Sequence, residues 1–378
     1  MPRFLARSSA ALVLSLAATA AWISPAAQAA SARPATPRPA VTAISGILNS
    51  VAATSASNAW AVGTAGKKSL ALHWNGHDWA RVAAPGSGLG GVAASSPGNA
   101  WAIGQSGTGQ LIVHWNGHAW TRTSAPLAKA DLIGVSTTSP GNAWAVGEVV
   151  GSRSVRTLIV HWNGHAWKRV PSPNPHPFSN TGDLLTAVHA LSAGNAWAVG
   201  ATTSNAAGPV EGLILHWNGR SWASVPGSAV TKPASGGLDG ITATSADNVW
   251  AAGCDCAGGP DGGVIGHWNG HGWAVQRTPV QHKLGAALFS VAASSRSSAF
   301  AVGSYCKSGC TGQHAFYTGL ILRWAGSAWK ISASPGGRNA TVIGVAAVSP
   351  ASAWAVGSAS GGKVLILHWN GRSWQSAG

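Results

Sequence analysis

Acidic residues and cysteines are scarce in this chain. Only 9 of its 378 residues are Asp or Glu, against 24 Lys and Arg, so the formal net charge is +15. Such an excess suggests an anionic partner, but no basic cluster with base-stacking aromatic residues is present, and we expect no nucleic-acid site. The four cysteines lack the two-residue spacing of paired zinc ligands, which argues against a zinc-stabilised fold.

Long apolar runs are also missing. The one apolar stretch, Ala10 to Ile23, is too short to span about 30 Å of hydrocarbon. Arg3 and Arg7 precede it, and Ala27-Gln28-Ala29 fits the small-x-small pattern of a cleavage site. We therefore predict that residues 1–29 are a signal peptide, and that the mature protein is secreted and has no membrane span.

Tryptophan, in contrast, is abundant, and its spacing reveals an internal repeat. Of the 21 tryptophans, 20 occupy two recurring marks. The first mark recurs every 41 to 54 residues, in the range of propeller blades. It falls at Trp60, Trp101, Trp144, Trp197, Trp250, Phe300 and Trp354. The second mark is a pair five residues apart: Trp74/Trp79, Trp115/Trp120, Trp162/Trp167, Trp217/Trp222, Trp268/Trp273, Trp324/Trp329 and Trp369/Trp374.

Each repeat is predicted to form four strands, named A to D here. Strand A is a short apolar segment, and a turn such as Ser96-Pro97-Gly98-Asn99 joins it to strand B, which carries the first mark. Strand C is an aliphatic run, and Asn116-Gly117 is typical of the tight turns that lead into strand D. Six of the seven repeats carry this Asn-Gly pair, and the remaining one, the sixth repeat, has Ala325-Gly326.

Four-stranded sheets without a helical period cannot bury both faces alone, whereas stacking around an axis buries them. We predict an all-β fold, a seven-bladed β-propeller with four antiparallel strands per blade, over residues 46–378. Residues 30–45 are predicted to be a Pro/Ala-rich linker. Because each repeat begins on strand A and ends on strand D, closure of the ring should depend on packing between the first and last blades.

The cysteines lie in B–C loops of the adjacent fifth and sixth repeats. An exported protein favours disulfides over a metal site. A Cys306–Cys310 bridge would close a small loop, whereas a Cys254–Cys256 bridge would be strained, and bridges between the two loops are the alternative. The sequence leaves the connectivity of Cys254, Cys256, Cys306 and Cys310 open.

The motifs Asn-Ala-Trp-Ala-Val-Gly and His-Trp-Asn-Gly-x-x-Trp resemble the tandem repeats of secreted actinobacterial proteins, most of them uncharacterised. Gly219-Arg220-Ser221-Trp222 and Gly371-Arg372-Ser373-Trp374 are also similar to the end of the Asp-box hairpin of sialidase-like propellers, and the repeats are distantly similar to Asp-box and kelch-like propellers. Trp217 and Trp369 occupy the acidic position of that box. The resemblance therefore implies a propeller and carries over no catalytic residue.

One position of strand C is histidine in six repeats. Equivalent positions in adjacent blades should be more than about 10 Å apart, too far to share an ion about 2 Å from each ligand. We expect no metal site here, and a structural role in hydrogen bonds between packed blades instead. The residues are His73, His114, His161, His216, His267 and His368, with Arg323 in the sixth repeat.

Length varies only in the B–C loops and D–A connections, which leave an up-and-down blade by the same face. Variable loops on a rigid scaffold are where binding is usually built. Seven of the nine acidic residues belong to this face and to the third, fourth and fifth repeats. They are the candidate ligand-binding residues: Asp131, Glu148, Asp183, Glu211, Asp239, Asp255 and Asp261. They could bind Ca²⁺, a basic peptide or sugar hydroxyls, or be unrelated solvated acids.

Three classes of function remain. The sequence favours a secreted binding module, a monomer whose extracellular ligand could be a cell-wall glycan or a protein, with no cofactor unless Ca²⁺ is bound. A glycan-acting hydrolase or lyase is the alternative, and a structural envelope component is the third. With two tyrosines and no recognisable arginine motif, an enzyme is the less favoured class.

Overall fold

The computed structural model describes residues 44–377, apart from 108, 128–129, 177–181, 205–209, 227, 232–235, 255–261, 281–285, 309–315, 334, 336 and 338. The predicted signal peptide lies outside the described residues, as does the linker except for its last two residues. Within the described part, no helix is long and apolar enough to cross a membrane.

The described residues form 28 strands and one short helix, α1 (Ser228–Thr231). The A strands are β1 (Ile47–Ser55), β5 (Gly88–Ser96), β9 (Asp131–Ser139), β13 (Gly182–Ser192), β17 (Leu238–Ser245), β21 (Ala287–Ser295) and β25 (Thr341–Ser349). The B strands are β2 (Asn58–Ala65), β6 (Asn99–Ser106), β10 (Asn142–Val150), β14 (Asn195–Thr203), β18 (Asn248–Cys254), β22 (Ser298–Ser308) and β26 (Ser352–Ala359).

The C strands are β3 (Lys68–Trp74), β7 (Gly109–Trp115), β11 (Val155–Trp162), β15 (Val210–Trp217), β19 (Gly263–Trp268), β23 (Phe316–Trp324) and β27 (Lys363–Trp369). The D strands are β4 (Trp79–Val82), β8 (Trp120–Thr123), β12 (Trp167–Val170), β16 (Trp222–Ser224), β20 (Trp273–Val275), β24 (Trp329–Ala333) and β28 (Trp374–Ser376). The central residues of strand B, including the first-mark residue, are buried in every repeat, because sheets cover them on both sides.

Every repeat is an antiparallel sheet in the order A-B-C-D. Five repeats form separate four-stranded sheets, and the third and fourth are joined into one eight-stranded sheet by a parallel pair, Val155 with Gly182. Each A strand contacts the A strands of the repeats before and after it, and β25 contacts β1. The fold is all-β and propeller-like, with the A strands innermost.

Tryptophan clusters hold neighbouring repeats together. Trp60 on strand B packs against the C and D strands of the next repeat, with ring centroids 4.8 Å from Trp115 and 5.0 Å from Trp120. Trp354 of the last repeat contacts Trp74 and Trp79 of the first at 5.0 Å each. The prediction that the first and last repeats pack directly together is confirmed, since one core cluster joins them. The residues just before β1 also bond to strand C of the last repeat, through an isolated bridge between Ser45 and Lys363 and a hydrogen bond from the N–H of Val364 to the carbonyl of Ile44 at 3.1 Å.

The strand C histidines are structural, but their hydrogen bonds are not the expected ones between blades. Nε2 of His73 donates to Oδ1 of Asn58 at 2.8 Å, within the same sheet, and the imidazole packs on Trp60 at 4.4 Å. Burial lowers the pKa of His73, which keeps the ring neutral at pH 7. The same Asn–His bond, at 2.7 to 3.1 Å, recurs at His114, His161, His216 and His267.

In every repeat, the glycine three residues after the first mark is required, because the backbone of strand A approaches it closely. A Cβ on Gly63 would lie 1.9 Å from the carbonyl oxygen of Ile47 on strand A. A register shift follows directly, between Leu48 and Ser50, so that Asn49 is the extra residue of a β-bulge. Bulges redirect side chains, and this one places Asn49 at the innermost surface of the sheet.

Candidate functional site at the channel mouth

A cavity of about 640 Å³ runs along the axis enclosed by the A strands, and residues from all seven A strands line it. That volume is typical of small-molecule sites. The strands enter from the variable-loop face, since the first residue of β1, Ile47, pairs with Thr64 near the end of β2. The start of each A strand therefore lies at the end of the channel that faces the loops of variable length, and this end is called the channel mouth here.

At one ring of lining positions, each repeat has a different residue, except that isoleucine occurs twice. These positions directly follow a buried leucine or valine on strand A, at the bulge. Going round the channel they are Asn49, Gly90, Ile133, Thr186, Asp239, Phe289 and Ile343. Two residues further on, the ring is almost uniform: Val51, Val92, Val135, Val188, Ile241, Val291 and Val345. The side chains that differ between repeats thus lie in the first ring, at the channel mouth. The first ring is called the mouth ring here, and the second the valine ring.

Asp239 is the acidic residue of the mouth. Burial raises the pKa of its carboxyl group from the ordinary range to about 6. Among the described residues, no hydrogen bond or ion pair reaches this carboxylate. The hydroxyl of neighbouring Thr186 donates instead to the carbonyl of Leu238, at 2.6 Å.

His189 is the other titratable residue of the described lining. Burial lowers the pKa of its imidazole to about 4, partly opposed by a hydrogen bond to the backbone of Ala243. The ring is therefore neutral at pH 7 and supplies no positive charge to the channel. Above about pH 6 the lining consequently carries one net negative charge, from Asp239.

Asp131 and Glu148 are brought together at the start of β9 and the end of β10. They are direct register partners, so their side chains project from the same face of the sheet. Burial, and then the charge of Asp131, raise the pKa of Glu148. Asp131 begins the strand whose third residue, Ile133, lines the channel mouth.

Asp183 was predicted to lie in a D–A connection as a candidate ligand-binding residue, and that placement is wrong. It lies within β13 and is fully buried. Its carboxylate accepts hydrogen bonds from the hydroxyl of Thr202 and from the backbone N–H of His176, the latter at 3.2 Å. Asp183 therefore fastens the D–A connection of the fourth repeat onto the sheet.

Glu211, in β15, faces Thr202 across the sheet rather than lying in a loop. Asp255 and Asp261 lie outside the described residues, as do Cys256 and Cys310. Cys254 and Cys306 are buried, at the end of β18 and in β22. The pairing of the cysteines stays a prediction. Within the described part, no three His, Cys, Asp or Glu side chains group into a possible metal site.

The sequence-based selection of acidic residues missed the uncharged members of the channel mouth, notably Phe289, Asn49 and Ile343. A signal for them existed. Aligning the repeats on the buried leucine of strand A, such as Leu48 and Leu288, leaves one variable column directly after it. The bulge that turns this column towards the axis has no sequence mark of its own, since the glycine that accommodates it lies on strand B.

No protein-family model matches the sequence, and no curated protein is similar to it. Solved structures are similar. A GH74 xyloglucanase from Xanthomonas campestris gives a TM-score of 0.57 at 15% identity, covering 89% of this chain and 55% of that one. YCF48 from Cyanidioschyzon merolae gives 0.56 at 17% identity, covering 88% and 97%. The WD40 β-propeller domain of Doa1 gives 0.54 at 12% identity, covering 85% and 92%. At these identities the similarity concerns the fold, and the chain has an all-β propeller fold of four-stranded antiparallel sheets.

Proposed function

We propose that this protein is a secreted binding module, a seven-bladed propeller whose ligand binds on the variable-loop face at the mouth of the central channel. The seven-bladed arrangement is supported by the seven sequence repeats and by the contacts of each A strand with its neighbours, from β1 round to β25. The eight-stranded sheet is then two blades connected at a single bridged pair.

The observation that carries the proposal is the contrast between the two neighbouring rings of the channel. The valine ring is nearly uniform because it only packs the blades together. The mouth ring has a different side chain in almost every repeat, including Asp239 and Phe289, which blade packing alone does not require. Different groups converging on one concave surface are typical of a ligand site on a rigid scaffold.

Export rests on the composition of residues 1–29 and on the four cysteines, which we place in disulfides. A partner outside the cytoplasm follows from that location. The similar solved structures include a xyloglucanase and a WD40 domain, so this fold is compatible with more than one class of ligand.

A glycan and peptide array tests the proposal. The double variant Phe289→Ala/Ile343→Ala should lose the array signal of the wild-type protein by at least tenfold. The matched control is Asp78→Asn/Asp247→Asn, in the turns of the opposite face, where Asp247 pairs with Arg296 at 2.6 Å. Its array signal should be unchanged. Loss of binding in the control alone would move the site to the opposite face, and an array without any hit would count against a binding module.

A second candidate function, glycan hydrolysis, is favoured by the Asp131–Glu148 pair. Directly opposed residues have Cβ atoms about 4.5–5.5 Å apart. Side chains on Cβ atoms this close can bring their carboxyl groups to the separation of about 5–5.5 Å that is characteristic of retaining glycosidases. The raised pKa of Glu148 suits a general acid, and the exposed Asp131 would then be the nucleophile.

This candidate predicts release of reducing ends from a panel of soluble polysaccharides. Glu148→Gln should lower that rate at least 100-fold, the usual contribution of a general acid. Glu211→Gln, an acid in the next repeat, should leave the rate unchanged. Absence of hydrolysis with the wild-type protein, or full activity in Glu148→Gln, would reject the enzymatic candidate.

A further inference from the structure

Among the described residues, the strands packed against β17 place no Lys, Arg or charged His beside the carboxylate of Asp239. Of the strands packed against β17, β13 carries His189 and Asp183, and β14, β18 and β21 carry no titratable group. His189 is neutral at pH 7, and Asp183 bonds to Thr202 instead. None of the described residues on these strands therefore supplies a counter-charge to Asp239.

Phe289 is the neighbour of Asp239 in the mouth ring. The two residues occupy the same position on adjacent strands, β17 and β21, which approach closely. A Cβ built on Gly240 would lie 2.8 Å from the Cα atom of Ser290. An aromatic ring beside a carboxylate attracts cations, by cation–π interaction and charge together.

The rest of the mouth is apolar or already hydrogen-bonded. Ile133 and Ile343 are aliphatic, Gly90 has no side chain, and Asn49 uses its amide to donate to the carbonyl of Leu89 at 2.9 Å. One carboxylate is too few oxygen ligands for a divalent metal ion, which takes six to eight in the case of calcium. The mouth thus combines one anionic group with a surface suited to an aliphatic chain.

We propose that the channel mouth binds an alkylammonium group, with Asp239 as its counter-ion and Phe289, Ile133 and Ile343 packing around its alkyl chain. This inference rests on the proposed function, since it gives a ligand class to the same surface. The ammonium group could belong to a lysine side chain of a partner or to a free amine, which have the same chemistry. The positive net charge of the protein opposes the approach of a cation only weakly at physiological salt, where charges are screened beyond about 8 Å.

The first experiment compares n-butylammonium with n-butanol by calorimetry or NMR titration of the full protein. Butylammonium should bind at least tenfold more tightly at pH 7. Asp239→Asn should remove that preference and leave butanol binding unchanged, whereas Phe289→Ala should weaken both ligands. Asp247→Asn, on the opposite face, is the control and should bind as the wild type does.

Lowering the pH gives an independent readout. The carboxyl of Asp239 has a pKa of about 6, so at pH 5 about nine-tenths of it is protonated and cannot serve as counter-ion. Affinity for butylammonium should fall roughly tenfold between pH 7 and pH 5, and butanol affinity should not change. A lysine-containing peptide that binds more tightly than its norleucine counterpart would indicate a protein partner, and equal affinity of both peptides would indicate a free amine.

Equal binding of butylammonium and butanol, or an unchanged preference in Asp239→Asn, would overturn the proposal. The proposed function fails separately. If the array ligand is lost in Phe289→Ala/Ile343→Ala but butylammonium shows no preference, the channel mouth is a binding site for another class of ligand.

Discussion

Replacement of Trp144 with alanine should be among the most destabilising single changes in this protein. The indole is 1% exposed, stacks on His161 at 4.1 Å, and contacts Trp217 and Trp222 of the next repeat at 5.1 and 5.3 Å. A buried indole removes about 150–250 Å² from water. At about 25 cal/mol per Å² this corresponds to about 4–6 kcal/mol. Partial collapse of the cavity should reduce the measured loss to about 3–5 kcal/mol.

The free energy of unfolding can be measured by urea titration followed by far-UV circular dichroism. Val150→Ala is the matched control, because Val150 lies on the same strand but is 57% exposed, and its replacement should cost less than about 0.5 kcal/mol. Trp144→Phe should be milder than Trp144→Ala, since the sixth repeat has Phe300 at this position. A loss below about 1 kcal/mol for Trp144→Ala would refute the argument that the indole clusters hold adjacent repeats together.

Three further predictions concern the backbone, the cysteines and pH. Gly147→Ala should lower the melting temperature severely, because its Cβ would lie 1.8 Å from the carbonyl oxygen of Asp131; Gly141→Ala, with open space around it, should not. Alkylation of the denatured, unreduced protein should label none of the four cysteines, and labels on all four by mass spectrometry would contradict the predicted disulfides. Between pH 4 and pH 7, Asp239 should contribute a loss of stability, since the folded protein holds its proton up to about pH 6 and the unfolded chain releases it near 4. Burial lowers the pKa of His189 to about 4, so this histidine acts in the opposite direction in the wild type and in Asp239→Asn alike. The stability of the wild type relative to Asp239→Asn should therefore fall by up to about 3 kcal/mol from pH 4 to pH 7, as judged from urea midpoints of both proteins at each pH.

The repeat and its strands could be predicted from the sequence because the tryptophan marks are spaced by strand geometry. Trp74 and Trp79, for example, bracket a turn and pair directly across it. Side-chain environments were less predictable. Asp183 was expected in a D–A connection as a candidate ligand-binding residue, but the chain 19 residues further on supplies Thr202 to its carboxylate, and no local pattern signals that contact.

The histidine partners illustrate the same limit. Their recurrence predicted a structural role correctly, yet the bond runs from His73 to Asn58 within one sheet and not between blades. Asn58 and His73 both belong to the repeated motif. The sequence therefore shows that they occur together in the repeat, but it does not show that they bond to each other. The channel mouth was missed for a different reason. A strict alternation of inward and outward side chains along strand A assumes no bulge, whereas the bulge at Asn49 changes which residue faces the axis.

The joint between the last and first repeats has a consequence for how such a chain can change. Trp354 meets Trp74 and Trp79 at 5.0 Å each, nearly the distances at which Trp101 meets Trp162 and Trp167, 4.9 and 5.0 Å. The joint that completes the circle is thus chemically a copy of an internal one. A circularly permuted chain that opens at another joint should fold to the same structure, and whole repeats should be exchangeable between positions. Tandem gene duplication could lengthen or renew such a protein without inventing a new interface.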